Sequence, residues 1–274
     1  MGFMQQLRQR WATSGSLVCV GLDPEPAKFP AKFSGDPDAV FAFCRDIADA
    51  TAEFACAFKP QIAHFAALGA EDALERLIAH LHAAHPGVPV ILDAKRGDIG
   101  STMAGYADAW LGDSSLLRAD SVTVSPYLGV GALGPVFTKA EETGRGVFVL
   151  AATSNPEARD IQSVPVGEES TIAQGVVDEC AAFNVEAHKA CKPGDVGVVV
   201  GATLDNPPRL DALNGPVLLP GVGAQGAGPK QVHGIVSAHP SLGFANVSRA
   251  VLEQGPDVAD LRKAVAQVAA EFRD

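Results

Sequence analysis

Eight short apolar runs punctuate this sequence, and each ends in polar or glycine-rich residues: Leu17–Leu22, Ala55–Phe58, Val88–Leu92, Ser121–Val124, Gly146–Leu150, Val196–Val200, Val217–Leu219 and Gly243–Val247. Runs of this length, bounded by turn residues, read as buried strands. Val88–Leu92 and Val196–Val200 carry the Val and Ile of strands covered on both faces. Helical periodicity fills many of the intervals. Leu74, Leu77, Ile78 and Leu81 fall at i, i+3, i+4 and i+7, and Val40, Cys44, Ile47 and Thr51 share another face. Ser170 is placed to cap a helix carrying Ile172, Val176, Val177 and Cys180, which must stop by Pro193-Gly194. Val258, Leu261, Val265 and Val268 form a last amphipathic helix. This alternation predicts an α/β fold, a single (β/α)8 TIM barrel over residues 1–274. An open, doubly wound sheet is the alternative, because periodicity does not encode closure. Asp23–Asp38 and Thr153–Glu169 read as long loops, which in compact domains are often functional.

Composition removes several function classes. The net charge of −11 opposes nucleic-acid binding, which needs clustered Lys and Arg to neutralise phosphates. It leaves room for one small phosphorylated ligand, held by a local Arg and a glycine-rich loop. No apolar run reaches the roughly 18 residues of a membrane span. The N-terminus lacks the basic-then-apolar order of a secretory signal, so a cytoplasmic protein without membrane partners is expected. The five cysteines form no CxxC pair, and their odd number fits no disulfide framework. His80, His82 and His85 have offsets of two and five, which do not share one helix face, so no metal site is expected there. Trp11 and Trp110 read as packing residues.

In a barrel of this kind chemistry sits at the C-terminal ends of the strands. The residues just beyond each run are therefore informative. The first run gives Asp23, the second Lys59, and the third Asp93, Lys95 and Asp98. The fourth gives Ser125, the seventh Pro220 and the loop Gly221–Gly228, and the eighth Ser248 and Arg249. Asp93 and Lys95, two apart on an extended strand, point the same way. With Lys59 and Asp98 they would form an alternating Lys-Asp-Lys-Asp array in which opposite charges keep one another ionised. Such an array is preorganised electrostatics with an ammonium able to give up a proton. Stability alone explains it poorly, because desolvation offsets the attraction within buried pairs. The glycine-rich loop and Arg249 stand where barrels often bind phosphate, after strands seven and eight.

These residues resemble the orotidine 5′-phosphate decarboxylase family from about Ser16 to Leu252. The most specific element is Asp93-x-Lys95-x-x-Asp98-Ile99-x-x-Thr102. Gly21-Leu22-Asp23, Phe58-Lys59-Pro60, Ser125-Pro126-Tyr127-Leu128-Gly129, Pro220–Gly226 and Arg249 support it in order. Gly21-Leu22-Asp23-Pro24 and Thr153-Ser154-Asn155-Pro156 are most similar to the longer bacterial branch.

The resemblance implies decarboxylation of orotidine 5′-monophosphate to UMP and CO2, the last step of de novo pyrimidine nucleotide synthesis, without metal or organic cofactor. It implies that Lys95 protonates C6, that Asp93 faces the substrate carboxylate, and that Asp23 and Lys59 bind the ribose hydroxyls. Ser125 would contact the pyrimidine, and Pro220 would line the site. Gln225 and Arg249 would hold the phosphate under the closing loop. Asp98, Ile99 and Thr102 would serve the site of a partner in a homodimer. One departure stands out: the family often has Gly before the phosphate-binding Arg, where this chain has Ser248. Three rivals remain beside this reading. They are a Mg²⁺-dependent 3-keto-L-gulonate 6-phosphate decarboxylase, a Schiff-base aldolase and a non-enzymatic phosphate-ligand sensor.

Overall fold

A computed structural model of the chain describes residues 2–25, 36–168, 170–223 and 226–272. All eight predicted strands form: β1 Val18–Leu22, β2 Ala57–Pro60, β3 Ile91–Arg96, β4 Ser121–Val124, β5 Gly146–Ala152, β6 Val196–Val200, β7 Val217–Pro220 and β8 Gly243–Val247. They pair in parallel in the order β2-β1-β8-β7-β6-β5-β4-β3. Parallel bridges Phe58↔Val90 and Gln61↔Asp93 join the two ends of that order, so the sheet closes into a barrel. Closure settles the choice against an open sheet. Strands buried on both faces explain why most runs are continuously apolar instead of alternating.

Helices cover the outside: α1 Phe3–Ser14, α2 Pro37–Thr51, α3 Ile62–Ala66, α4 Glu71–Ala84, α5 Gly100–Leu111 and α6 Gly134–Thr143. After them come α7 Arg159–Gln162, α8 Ile172–Phe183, α9 Val185–Lys189, α10 Pro229–Ile235, α11 Arg249–Leu252 and α12 Val258–Glu271. The apolar faces expected for α2 and α4 are the buried ones. Asp36 caps α2 by accepting from Ala39 N (3.0 Å), with Pro37 at the first helical position. The cap of α8 is Thr171, which accepts from Gln174 N (3.2 Å), one residue later than expected. Ser170 instead pairs with Val166 in a two-residue ribbon, Pro165–Val166 against Ser170–Thr171. The stretch read as a loop at Thr153–Glu169 thus carries α7 and half of that ribbon, and Glu169 lies outside the described residues. Most of the Asp23–Asp38 loop also lies outside them.

Trp11 and Trp110 are buried as packing residues, and Trp110 stacks on Tyr106 at 4.8 Å. Cys19, Cys44, Cys56 and Cys180 are buried and free, and Cys191 is exposed. Burial pushes the Cys56 and Cys180 thiols up to about 12, so these are inert core groups. No described helix is long and apolar enough to cross a membrane.

Candidate active site

The C-terminal ends of β1, β2, β3, β7 and β8 bring a charged cluster together. Asp93 is 4% exposed, and three groups donate to its two oxygens. Lys59 Nζ reaches Oδ2 at 2.7 Å, Lys95 Nζ reaches the same oxygen, and Thr123 Oγ1 donates to Oδ1 at 2.7 Å. Burial alone would raise the Asp93 pKa, but Lys59 and Lys95 hold it well below the usual carboxylate range. Burial would likewise lower Lys59, yet Asp93 and Asp23 hold its ammonium well above the usual lysine range. Lys95 behaves differently. Burial, together with the charge of Lys59, outweighs Asp93 and moves its pKa down. A lysine shifted this way gives up its proton more readily, as a general acid must.

The local backbone departs from a regular strand. Between Leu92 and Arg96 the β3–β4 register shifts, with four residues of one strand advancing against two of the other. Lys95 takes φ +50°, a left-handed conformation that a lysine seldom adopts. Lys95 therefore reaches Asp93 through a bulge and not through simple alternation. Bulges commonly re-aim side chains beside active sites. Thr123 secures the bulge: its hydroxyl accepts from Lys95 N (3.1 Å) while donating to Asp93. Sequence reasoning missed Thr123 because its hydroxyl lies inside an apolar strand run and not beyond its end. Thr123→Val should cost about 2–3 kcal/mol, since it leaves a backbone N–H and a carboxylate oxygen unsatisfied. Thr123→Ser should recover most of that loss in urea denaturation. Equal stability of the two variants would refute this role.

Just past β3, Gly97 lies so close to β4 that a Cβ there would stand 2.2 Å from Ser125 O. The chain then turns away. Asp98 does not join the cluster in this chain, and its carboxylate accepts from Ile99 N at 2.7 Å. The expected four-charge array is thus a three-charge one, Lys59–Asp93–Lys95. Ile99 and Thr102 are exposed at the start of α5. Ser125 is half-buried, and its N–H donates to Arg96 O (2.9 Å).

Beside Lys59 opens a cavity of 310 Å³ lined by Asp23, Gln61, Pro220, Asn246, Ser248 and Arg249, among others. Two buried acceptors along it have no partner among the described residues: Asp23 Oδ1 and Asn246 Oδ1. Unpaired buried oxygens are costly unless a ligand completes them, and hydroxyl donors would do so. Asn246 was not singled out in the sequence, as it hides within an apolar run. Ser248 Oγ donates to Asp23 Oδ2 (2.6 Å), so its hydroxyl orients that carboxylate. A Cβ on Gly21 would stand 1.8 Å from the same hydroxyl, which accounts for glycine at that position. Arg249 opens α11 next to Gly221 and Val222. Gly221, Gly223 and Gly226 have positive φ, and Gln225 lies outside the described residues.

A larger cavity of 720 Å³ lies between the β5 and β6 ends. Its polar groups largely satisfy one another: Thr153 N donates to Gln162 Oε1 (2.7 Å), and Arg209 N to Gln174 Oε1 (2.8 Å). The smaller cavity, with its charges and unpartnered oxygens, is the better binding site.

A closed parallel barrel with a Lys–Asp–Lys cluster and a glycine-rich loop at its strand ends has the architecture of a barrel enzyme acting on a small phosphorylated ligand. A model of the orotidine 5′-phosphate decarboxylase / HUMPS family matches residues 16–264, and the chain belongs to this family. It is 49% identical over 273 residues to the orotidine 5′-phosphate decarboxylase of Corynebacterium efficiens, covering 98% of this chain and 96% of that one. It is 46% identical over 279 residues to the enzyme of Aromatoleum aromaticum, covering 100% and 98%. A crystal structure from Streptomyces avermitilis, described as an orotidine 5′-phosphate decarboxylase, superposes with a TM-score of 0.90 at 41% identity, over 99% of this chain and 95% of that one. The Leishmania donovani OMP decarboxylase gives 0.79 at 32% identity, over 99% and 98%.

Proposed function

We propose that the chain decarboxylates orotidine 5′-monophosphate to UMP and CO2, as one catalytic unit spanning its length. The observation that carries this reading is the Lys59–Asp93–Lys95 trio, with Lys59 and Asp93 buried, beside two acceptors without a partner among the described residues, in a chain of this family. Asp23 and Asn246 accept from the ribose hydroxyls, and Lys59 holds Asp23 and Asp93 in place. Arg249 and the Gly221–Gly228 loop hold the phosphate, with Gln225 assigned there by resemblance. Loss of CO2 leaves an electron pair at C6. The Lys95 ammonium stabilises that charge as it develops and then transfers its proton to C6, and solvent restores the proton to the amine. Asp93 faces the substrate carboxylate and raises the ground state before the bond breaks. Phosphate contacts far from C6 supply binding energy that closes the loop and excludes water. The chemistry requires no metal or organic cofactor, because the ammonium meets the developing charge directly. Loss of absorbance of orotidine 5′-monophosphate on mixing with EDTA-treated protein tests this. Binding without turnover would mark a sensor, and activity lost with the chelator would mark the metal-dependent rival.

The site is completed by a second copy of the chain. Ile99 (62% exposed), Tyr127 (81%) and Leu128 (53%) present apolar surface at the β3 and β4 ends. Asp98 and Thr102 leave the same segment without reaching the trio of their own chain, as residues serving a partner's site would. Mixed Lys95→Ala and Asp98→Asn chains should therefore regain activity that neither has alone. Random pairing makes half the dimers mixed, each with one intact site of two, so about one quarter of wild-type turnover is expected. No recovery after subunit exchange would dismiss the shared site.

A further inference from the structure

At the opposite end of the barrel, where α2 and α4 run out toward the N-termini of β2 and β3, three side chains converge. Asp49 near the end of α2, His80 on α4 and His85 just past α4 place their ligand atoms within 4.8 Å of one another. His80 Nε2 and His85 Nε2 each lie 2.7 Å from the same oxygen, Asp49 Oδ1. Helix periodicity does not bring residues five apart together. His85 escapes it because it is the C-cap, with φ −130° and ψ 55°. His82 does not take part and contacts Asp120 at 3.2 Å.

From this convergence we propose that Asp49, His80 and His85 form a surface site for a divalent transition-metal cation of the Zn²⁺ type, clamping α2 to α4. Two imidazoles and one carboxylate suit such an ion and not Mg²⁺ or Ca²⁺, which prefer oxygen ligands. With the ring protons on Nδ1, both Nε2 lone pairs point to one spot. A tetrahedral ion with bonds of about 2.0–2.1 Å needs ligand atoms roughly 3.3 Å apart, so each contact opens by only about 0.6 Å. The rings are already held: His80 packs edge-on against Phe41 at 6.3 Å, and His85 tilts against Phe58 at 6.1 Å. The side chains remain 25%, 19% and 43% exposed for His80, His85 and Asp49, which leaves room for water as a fourth ligand. The site lies at a helix C-terminus, where cations are favoured.

The test is calorimetric titration of ZnCl2 into the full-length protein, stripped with EDTA and dialysed, with thermal denaturation in parallel. Wild type should bind one Zn²⁺ per chain at this site and melt several degrees higher when saturated, with no response to MgCl2. His80→Ala and His85→Ala should each weaken binding at least tenfold, since losing even an outer-shell partner costs that much. His82→Ala should bind normally. Unchanged decarboxylation of orotidine 5′-monophosphate by these variants shows that they are folded and separates this result from the catalytic reading. Absence of saturable binding to wild type, or equal binding to the His80 and His85 variants, would overturn the proposal.

Discussion

Lys95→Ala is expected to lower kcat for orotidine 5′-monophosphate by at least about 10⁴-fold while leaving the fold intact. The size reflects two losses at one atom. A positioned general acid contributes about 10²–10⁴-fold, and a preorganised charge facing developing charge about 10²–10³-fold. The fold survives because Asp93 keeps two of its three donors, Lys59 Nζ at 2.7 Å and Thr123 Oγ1 at 2.7 Å, so no buried carboxylate is orphaned. Lys95 is also the more exposed of the two lysines, at 39% of its side chain against 6% for Lys59. Alanine retains the strained left-handed backbone, so neither relief nor added cost arises there. Urea denaturation should place the variant within about 1 kcal/mol of wild type. Phosphate and ribose contacts are untouched, so KM should change little. Wild-type turnover by Lys95→Ala would exclude the proton-transfer mechanism, and collapse of the fold would show that Lys59 and Thr123 together do not hold Asp93.

The contrast between these lysines marks where the sequence was legible. The strand runs were readable because burial on both faces leaves a continuous apolar signature, and Ser121–Val124, Val196–Val200 and Gly243–Val247 appear with those bounds. Charged residues beyond such runs had to lie at one end of the barrel, which brought Asp23, Lys59, Asp93, Lys95 and Arg249 into view together. Two kinds of information were not local. Thr123 and Asn246 lie within strands, and only the closed barrel shows one hydroxyl serving both Asp93 and Lys95, or one amide oxygen left open to a cavity. Backbone conformation was also hidden. The bulge at Lys95 makes Asp93 and Lys95 meet, and the C-cap at His85 makes His80 and His85 meet, where strand and helix periods lead to the first result by another route and forbid the second.

Asp93→Asn should have the opposite profile from Lys95→Ala: a large loss of stability as well as of activity. Asparagine matches the shape, so no cavity opens and the change is one of charge. Lys59 is then left buried without its main counter-ion, retaining only the weaker influence of Asp23. Breaking a buried pair in this way costs about 3–5 kcal/mol. At roughly 2–4 °C per kcal/mol for a chain of this size, Tm should fall by roughly 6–20 °C in calorimetry at neutral pH. The pH dependence gives the argument a second handle. In wild type the lowered Asp93 pKa contributes stability that is fully present above the unfolded value of about 3.9 and is lost as pH falls below it. The raised Lys59 pKa contributes stability that is present below about 10.4 and is lost as pH rises through the folded value. Asp93→Asn removes the first dependence, so its acid limb should flatten below about pH 4. It should also reverse the second, because a buried lysine without Asp93 is charged at a cost that deprotonation relieves. The stability difference between the variant and wild type should therefore narrow between about pH 8 and 10. An Asp93→Asn protein with wild-type Tm and an unchanged acid limb would show that the pair does not hold the barrel's catalytic end together.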